Sequence, residues 1–227
     1  TLTGWLFDCY PSPQGITLWL IDQNGDKHRR FYKFTPSFFL HLSPSDARRA
    51  ENLAAQCPVP VMITRTIKTE IYSGDPLDVC EVHVHDPMRF RDVVWYYERF
   101  FPHFAFFNSD ILVAQLFLYA TQLFPLAFGE YEFDDQGALA GWTLNDSREA
   151  TDYQLPPFSI LLLRNANDFV PPKYQKHLQL EVTYDDRTYS LEQETPQEVL
   201  EALNWHLHRC DPDIIVTDYG DAVLMPK

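Results

Sequence analysis

The sequence is short of glycine, with 8 in 227 residues, and short of cations, with 18 Lys and Arg against 32 Asp and Glu. The formal charge of −14 excludes a generic nucleic-acid binder, because phosphate contacts need cations. Any such contact has to come from a local basic strip. Cys9, Cys57, Cys80 and Cys210 make no Cys-x-x-Cys pair and no zinc spacing, so they read as packed thiols in a reducing compartment. No apolar run is long enough to cross a membrane. The opening TLTGWLFDCYP lacks the basic start and long apolar stretch of a signal peptide. These absences imply a cytoplasmic protein without a membrane partner.

What is present is enough for a core. Hydrophobic residues make up 45% of the chain and aromatics 15%, which argues against disorder. The 17 prolines imply many short elements joined by proline-bearing loops. The length fits one large domain or two small ones.

Strands are expected at GWLFDCY (Gly4 to Tyr10), ITLWLID (Ile16 to Asp22), DKHRRFYKF, FFLHL (Phe38 to Leu42), VPVMITRTI and DVCEVHV, from their alternation and β-branched content. Asn24-Gly25 is a tight-turn signal. SPSDARRAENLAAQ reads as a helix capped by Ser43 or Ser45. DPMRFRDVVWYYERF is a second, with Asp86 at the cap and Pro87 in the first turn. SDILVAQLFLYATQL (Ser109 to Leu123) is expected to be a helix buried on most faces. FGEYEFDDQGALAGWTL reads as a hairpin turning at Asp134 to Gly137. The polar, proline-terminated NDSREATDYQLPP is the expected linker, dividing the chain into 1–155 and 156–227. Beyond it lie a strand (Phe158 to Leu163), a hairpin LQLEVTYDDRTYSL, and a helix opened by a capping box at Thr195 and Glu198. Val199, Leu200, Leu203 and Leu207 are its expected buried stripe, and DPDIIVT begins a last strand. The fold class is therefore α+β: a mixed-sheet N-terminal domain followed by part of an RNase H-like α/β domain.

Four patterns bear on chemistry. Tyr219-Gly220-Asp221 has the form of a polymerase metal-binding turn, but phosphoryl transfer with paired metals needs a second nearby acid. Ala222, Val223 and Leu224 follow instead. Lys27, Arg29, Arg30, Phe31 and Lys33 concentrate cations and an aromatic ring on one strand. Lys27, Arg29, Phe31 and Lys33 share a face, an arrangement that suits single-stranded nucleic acid and equally a charge-protected sheet edge. His83 and His85 have a spacing a metal could use but lack a third ligand, and read as surface or packed histidines. Asp211, Asp213, Asp218 and Asp221 cluster late in the chain; they read as a helix-to-strand turn or, alternatively, as a relocated metal site.

The order of these segments resembles the N-terminal domain and the first part of the 3′–5′ exonuclease-like domain of family B DNA polymerases. GWLFDCY, LWLIDQNGDKHRRFYKFTPSFFL, HDPMRFRDV, NSDILVAQLFLYATQLFPLAFGEYEF and DPDIIVTDYGD follow that family in order and spacing over nearly the whole chain. The resemblance implies that this region is non-catalytic, positions template and supports the palm, fingers and thumb. The parent would be a DNA-directed DNA polymerase, a nucleotidyltransferase of replication or repair, using magnesium ions held outside this chain. It would lie in the cytoplasm, at the nucleoid in a prokaryote. The family's first exonuclease motif is Asp-x-Glu; here Arg164 and Ala166 stand at those positions. In the second motif Tyr219 replaces an asparagine and Leu224 the metal-binding aspartate. Proofreading is thus expected to be lost, with no catalytic residue, metal or cofactor in this chain. Two alternatives are a stand-alone nucleic-acid or protein-binding module and a metal-dependent nuclease using the relocated carboxylates.

Overall fold

A computed structural model of the chain describes residues 1–152, 154–166, 174, 177–218 and 220. They form two compact units, Thr1–Pro156 and Pro157–Lys227.

The first unit is organised on β1 (Leu2–Ser12). Pro13-Gln14 turns the chain into β2 (Gly15–Asp22), with Gln14 left-handed at φ 66°. The next turn, to β3 (Lys27–Lys33), uses the Asn-Gly signal in a four-residue connection. Gly25 takes φ 86°, and the Asp22 carboxylate accepts from the amides of Asn24 at 2.8 Å and Asp26 at 3.0 Å. On its other side β1 pairs with β8 (Phe128–Phe133), which turns into β9 (Leu139–Leu144). The sheet order is β3-β2-β1-β8-β9, and every neighbouring pair is antiparallel. The indole of Trp5 donates to the Gln154 carbonyl at 2.9 Å, which fastens the last stretch of this unit back onto β1.

A second sheet is inserted between β3 and β8. It runs β4 (Ser37–His41), α1 (Pro44–Ala54), β5 (Val61–Thr69), β6 (Pro76–Val84), α2 (Phe90–Phe100), β7 (Ala105–Phe107). The order β5-β6-β4-β7 is that of two interleaved β-α-β units. The first unit therefore carries two antiparallel sheets, where the sequence left a mixed or an antiparallel sheet open. The reason is the split connection: β4 and β5 run the same way, but β6 lies between them and pairs antiparallel with both.

Local signals explain the helices. Ser43 caps α1 by accepting from the Asp46 amide at 3.2 Å. Asp86 does the same for Met88 at 3.1 Å, opening a single 3₁₀ turn, Pro87–Arg89, before α2. The third helix, α3 (Val113–Thr121), is shorter and less buried than expected. Arg91 takes the Ser109 carbonyl at 2.8 Å, and Leu112 stays extended as the cap. Only Val113, Leu116 and Phe117 of α3 are buried, and Tyr119 is 57% exposed. Leu6, Ile16, Leu18 and Leu20 of the first sheet join Phe38, Leu40 and Val82 of the second, with Val93, Tyr97 and Phe117, in one core.

The second unit contains β10 (Ile160–Asn165), β11 (Leu180–Tyr184), β12 (Arg187–Leu191), α4 (Pro196–Cys210) and β13 (Ile214–Thr217). Its order is β12-β11-β10-β13, with β13 parallel to β10. Asp185 and Asp186 make the β11–β12 turn with both φ angles positive, 48° and 57°. The capping box at Thr195 and Glu198 is formed from both sides. The buried stripe of α4 is the one expected at Val199, Leu203 and Leu207, which pack in the second core, but Leu200 is 50% exposed and His206 is enclosed. Leu200 lies about 100° round the helix from Val199. His206 is accommodated because the Tyr184 hydroxyl meets its Nδ1 at 2.9 Å and Tyr189 packs on its ring.

Two buried tyrosines give a paired test. Tyr131 donates its hydroxyl to the Ala127 carbonyl at 2.7 Å. The Tyr97 hydroxyl, equally enclosed, meets no hydrogen-bonding group among the described residues. Tyr131→Phe should cost about 1 kcal/mol, while Tyr97→Phe should be neutral or stabilising by about as much, read by chemical denaturation. For His206, burial first and the Arg209 charge second lower the pKa. Its folded value therefore lies below the unfolded one, and protonation favours unfolding. The stability of the second unit should hold above about pH 6.5 and fall as pH drops below it. The deficit of His206→Gln relative to the native chain should shrink between pH 7.5 and 5.

Candidate nucleic-acid interface

The register of β2 on β3 decides where the basic strand points. Thr17 faces Phe31, Trp19 faces Arg29, Ile21 faces Lys27 and Gly15 faces Lys33. These four β3 residues stand on the face away from Ile16, Leu18 and Leu20. His28, Arg30 and Tyr32 stand on the core side. Tyr32 packs its ring against Phe117 and Trp142. The Arg30 guanidinium lies 4.9 Å over the Phe133 ring and donates to the Arg29 carbonyl at 2.9 Å. Of the five residues singled out on this strand, Lys27, Arg29, Phe31 and Lys33 are brought together, and Arg30 turns the other way.

Gly15 fixes the position of Phe31. A methyl group there would lie 2.6 Å from Cζ of the Phe31 ring and 2.1 Å from the Tyr32 carbonyl oxygen. The edge of the ring therefore lies against backbone that only glycine leaves open. Phe31 also bridges to Ala138, just after the β8–β9 turn, so the two ends of the five-stranded sheet approach each other. A cleft of ≈ 520 Å³ opens along this seam, bordered by Arg29, Phe31, Ser12 and Gln136. Ser12 and Gln136 are not visible as partners of β3 in the sequence. They come from the end of β1 and from the β8–β9 turn, far apart in the chain, and no local pattern links them.

In the second unit, Arg164 stands on β10 beside β13. Its Nε lies 3.4 Å from Oδ2 of Asp218, and both side chains are about half exposed. Ala166 follows the strand, its amide donating to the Gln179 carbonyl at 3.1 Å. Asp213 accepts from the Ser159 amide at 2.8 Å, and Asp211 closes α4 in a left-handed conformation. Tyr219, Asp221 and Leu224 lie outside the described residues. Arg164 presents a cation and Ala166 a methyl group, so these two positions do not fit a divalent metal. His83 approaches Thr64 Oγ1 at 3.3 Å and Glu81 at 3.9 Å, while His85 lies beyond the strand. No helix among the described residues is long and apolar enough to cross a membrane.

No family model and no curated protein matches the chain. Its fold is similar to that in the solved structure of the family B DNA polymerase from the hyperthermophilic archaeon Pyrobaculum calidifontis. The TM-score is 0.75 at 17% identity, over 96% of this chain and 30% of that one. The chain thus spans about a third of that polymerase's length, and at this identity the likeness is one of fold.

The Gly15 contact can be tested directly. Gly15→Ala should destabilise the first unit by about 2 kcal/mol or more, the cost of forcing atoms into a filled space, read as a lower denaturation midpoint. Gly137→Ala is the contrasting case: nothing lies within 4 Å of its added methyl, and its cost should come from φ +80° alone.

Proposed function

We propose that this chain is the N-terminal region of a family B DNA polymerase, in which residues 1–155 form the N-terminal domain and 156–227 begin an exonuclease-like domain. The observation that carries the reading is the similarity of fold over 96% of the chain, taken with the ordered sequence segments. The strand order β12-β11-β10-β13, with β13 parallel to β10, supports an RNase H-like second domain. In this reading the first unit positions template through Lys27, Arg29, Phe31 and Lys33, and both units serve as scaffold for palm, fingers and thumb. Magnesium chemistry belongs to the polymerase centre outside this chain. The protein works on DNA in the cytoplasm, at the nucleoid in a prokaryote.

Loss of proofreading is part of the proposal. The ion pair between Arg164 and Asp218 supports it, because a guanidinium at a metal position repels the cation and occupies a carboxylate that would otherwise be available. A second reading, a module that binds another protein, is favoured by the net charge of −14.

Binding of single-stranded DNA by the chain, measured from about 50 to 200 mM salt, separates the two readings. Template contact predicts an affinity that falls linearly on a log–log plot. Absence of binding at low salt would overturn the template role and favour the protein-binding module. For proofreading, the polymerase carrying this chain should leave a mismatched primer end intact in the presence of magnesium. Excision that Asp221→Ala abolishes would instead establish the relocated carboxylates as a nuclease site.

A further inference from the structure

We infer that Asn24 is a site of spontaneous covalent modification, in which its side-chain amide is lost through attack by the Gly25 nitrogen, and that the Asp22 carboxylate sets the rate by holding the turn closed. The inference goes beyond the polymerase reading and does not depend on it.

The chemistry follows from two adjacent residues. Asn24-Gly25 is the one asparagine–glycine pair in the sequence, and Asn24 is exposed in the connection between β2 and β3. Once the Gly25 nitrogen has given up its proton to solvent, it can attack Cγ of Asn24. The N–Cγ bond forms, the Cγ–Nδ2 bond breaks, and the departing nitrogen takes up a proton and leaves as ammonia. Glycine favours this step because no Cβ crowds the attacking nitrogen. The cyclic imide then takes up water. Opening at the side-chain carbonyl gives an aspartyl residue. Opening at the main-chain carbonyl gives an isoaspartyl residue, whose backbone runs through Cβ. No electrons are exchanged, and water is the sole co-reactant.

The fold opposes the attack. The Gly25 amide, which is the nucleophile, already donates to the Asp22 carbonyl at 3.0 Å. The Asn24 and Asp26 amides on either side both donate to Oδ1 of Asp22, at 2.8 and 3.0 Å. The Asp22 amide closes the loop on the Asp26 carbonyl at 3.0 Å. Oδ2 of the same carboxylate meets Nε2 of His28 at 3.0 Å, so the acceptor is itself tied to β3. Cyclisation therefore waits for a local opening that frees the Gly25 nitrogen, an event that costs far less than global unfolding.

The product changes the turn. It adds a carboxylate to the cleft that Asn24 shares with Asp22, His28 and Arg30, in a chain whose formal charge is already −14. The isoaspartyl form also lengthens the backbone of the connection that enters the basic strand.

The test uses the full chain, aged in mildly alkaline buffer in its native state and in guanidinium chloride. Peptide mapping by mass spectrometry reads ammonia lost and water gained on the fragment that holds Asn24, and chromatography separates the aspartyl and isoaspartyl forms. The expected result is conversion at Asn24 in both states, slower in the native chain by about tenfold or more, the effect of hydrogen bonds to a charged acceptor. Asp22→Ala should raise the native rate about tenfold and leave the rate in denaturant unchanged, with the fold checked by circular dichroism. Asp22→Asn, which keeps a neutral acceptor, should raise it less. Absence of conversion at Asn24 in denaturant would overturn the site. Equal rates in the native and denatured chain, or folded Asp22 variants as slow as the native chain, would overturn the restraint by Asp22.

Discussion

The first unit depends on one strand being paired along both edges. β1 takes β2 on one side and β8 on the other, and Gly4 lies opposite Asp22 and Gly129 in the two ladders. A methyl group at Gly4 would lie 2.2 Å from the Ile21 carbonyl oxygen, and one at Gly129 2.5 Å from the Thr143 carbonyl oxygen. Because both hairpins hang on β1, its pairing sets the distance between β3 and the β8–β9 turn. The seam, the Phe31–Ala138 bridge and the cleft beside Arg29 follow from that spacing. The second sheet shares its core with the first, so the inserted segment is held by packing as well as by its ends.

Much of this was legible because the signals are local. A cap is written within four residues, as at Ser43, Asp86 and Thr195, and alternation within seven is enough to put Lys27, Arg29, Phe31 and Lys33 on one face of β3. The structure departs from the sequence pattern where the deciding contact is distant. Periodicity places an apolar residue inside as readily at 200 as at 199. Only the Tyr184 hydroxyl, on another element, makes a histidine at 206 the better core residue. Ser109 to Leu112 have helical composition, yet Arg91 from the preceding helix holds the Ser109 carbonyl. The antiparallel character of the second sheet depends on β6 entering between β4 and β5, an order that no strand encodes by itself. The same limit applies to the candidate site. The basic strand is visible as a run of residues, whereas Ser12 and Gln136 join it only through the closure of the sheet.

The two units treat their polar side chains differently. In the first, Asp22 is spent on a turn and its pKa is lowered chiefly by the hydrogen bond to His28. Burial pushes the Cys9 thiol up to about 11, which keeps it protonated and unreactive at neutral pH. In the second, Asp213 ties the start of β10 to the turn before β13, and Asp218 faces a guanidinium. Carboxylates that cluster in sequence are thus divided among separate structural duties. The strongly acidic surface leaves few places where an anion can approach, which gives the seam beside Arg29 its contrast.

The double pairing of β1 also bears on how the protein is made. Its first three strands can form a meander soon after they leave the ribosome, but Leu2 pairs with Tyr131. At translation rates of about 5–20 residues per second, β8 arrives on the order of ten seconds later. Throughout that interval one edge of β1 is unpaired, and the apolar face formed by Ile16, Leu18 and Leu20 lacks its final cover. An open edge beside an apolar face is the condition under which nascent chains pair with one another. Slowing synthesis between β3 and β8 would lengthen this exposure, so codon usage across the inserted sheet becomes a determinant of the yield of folded protein.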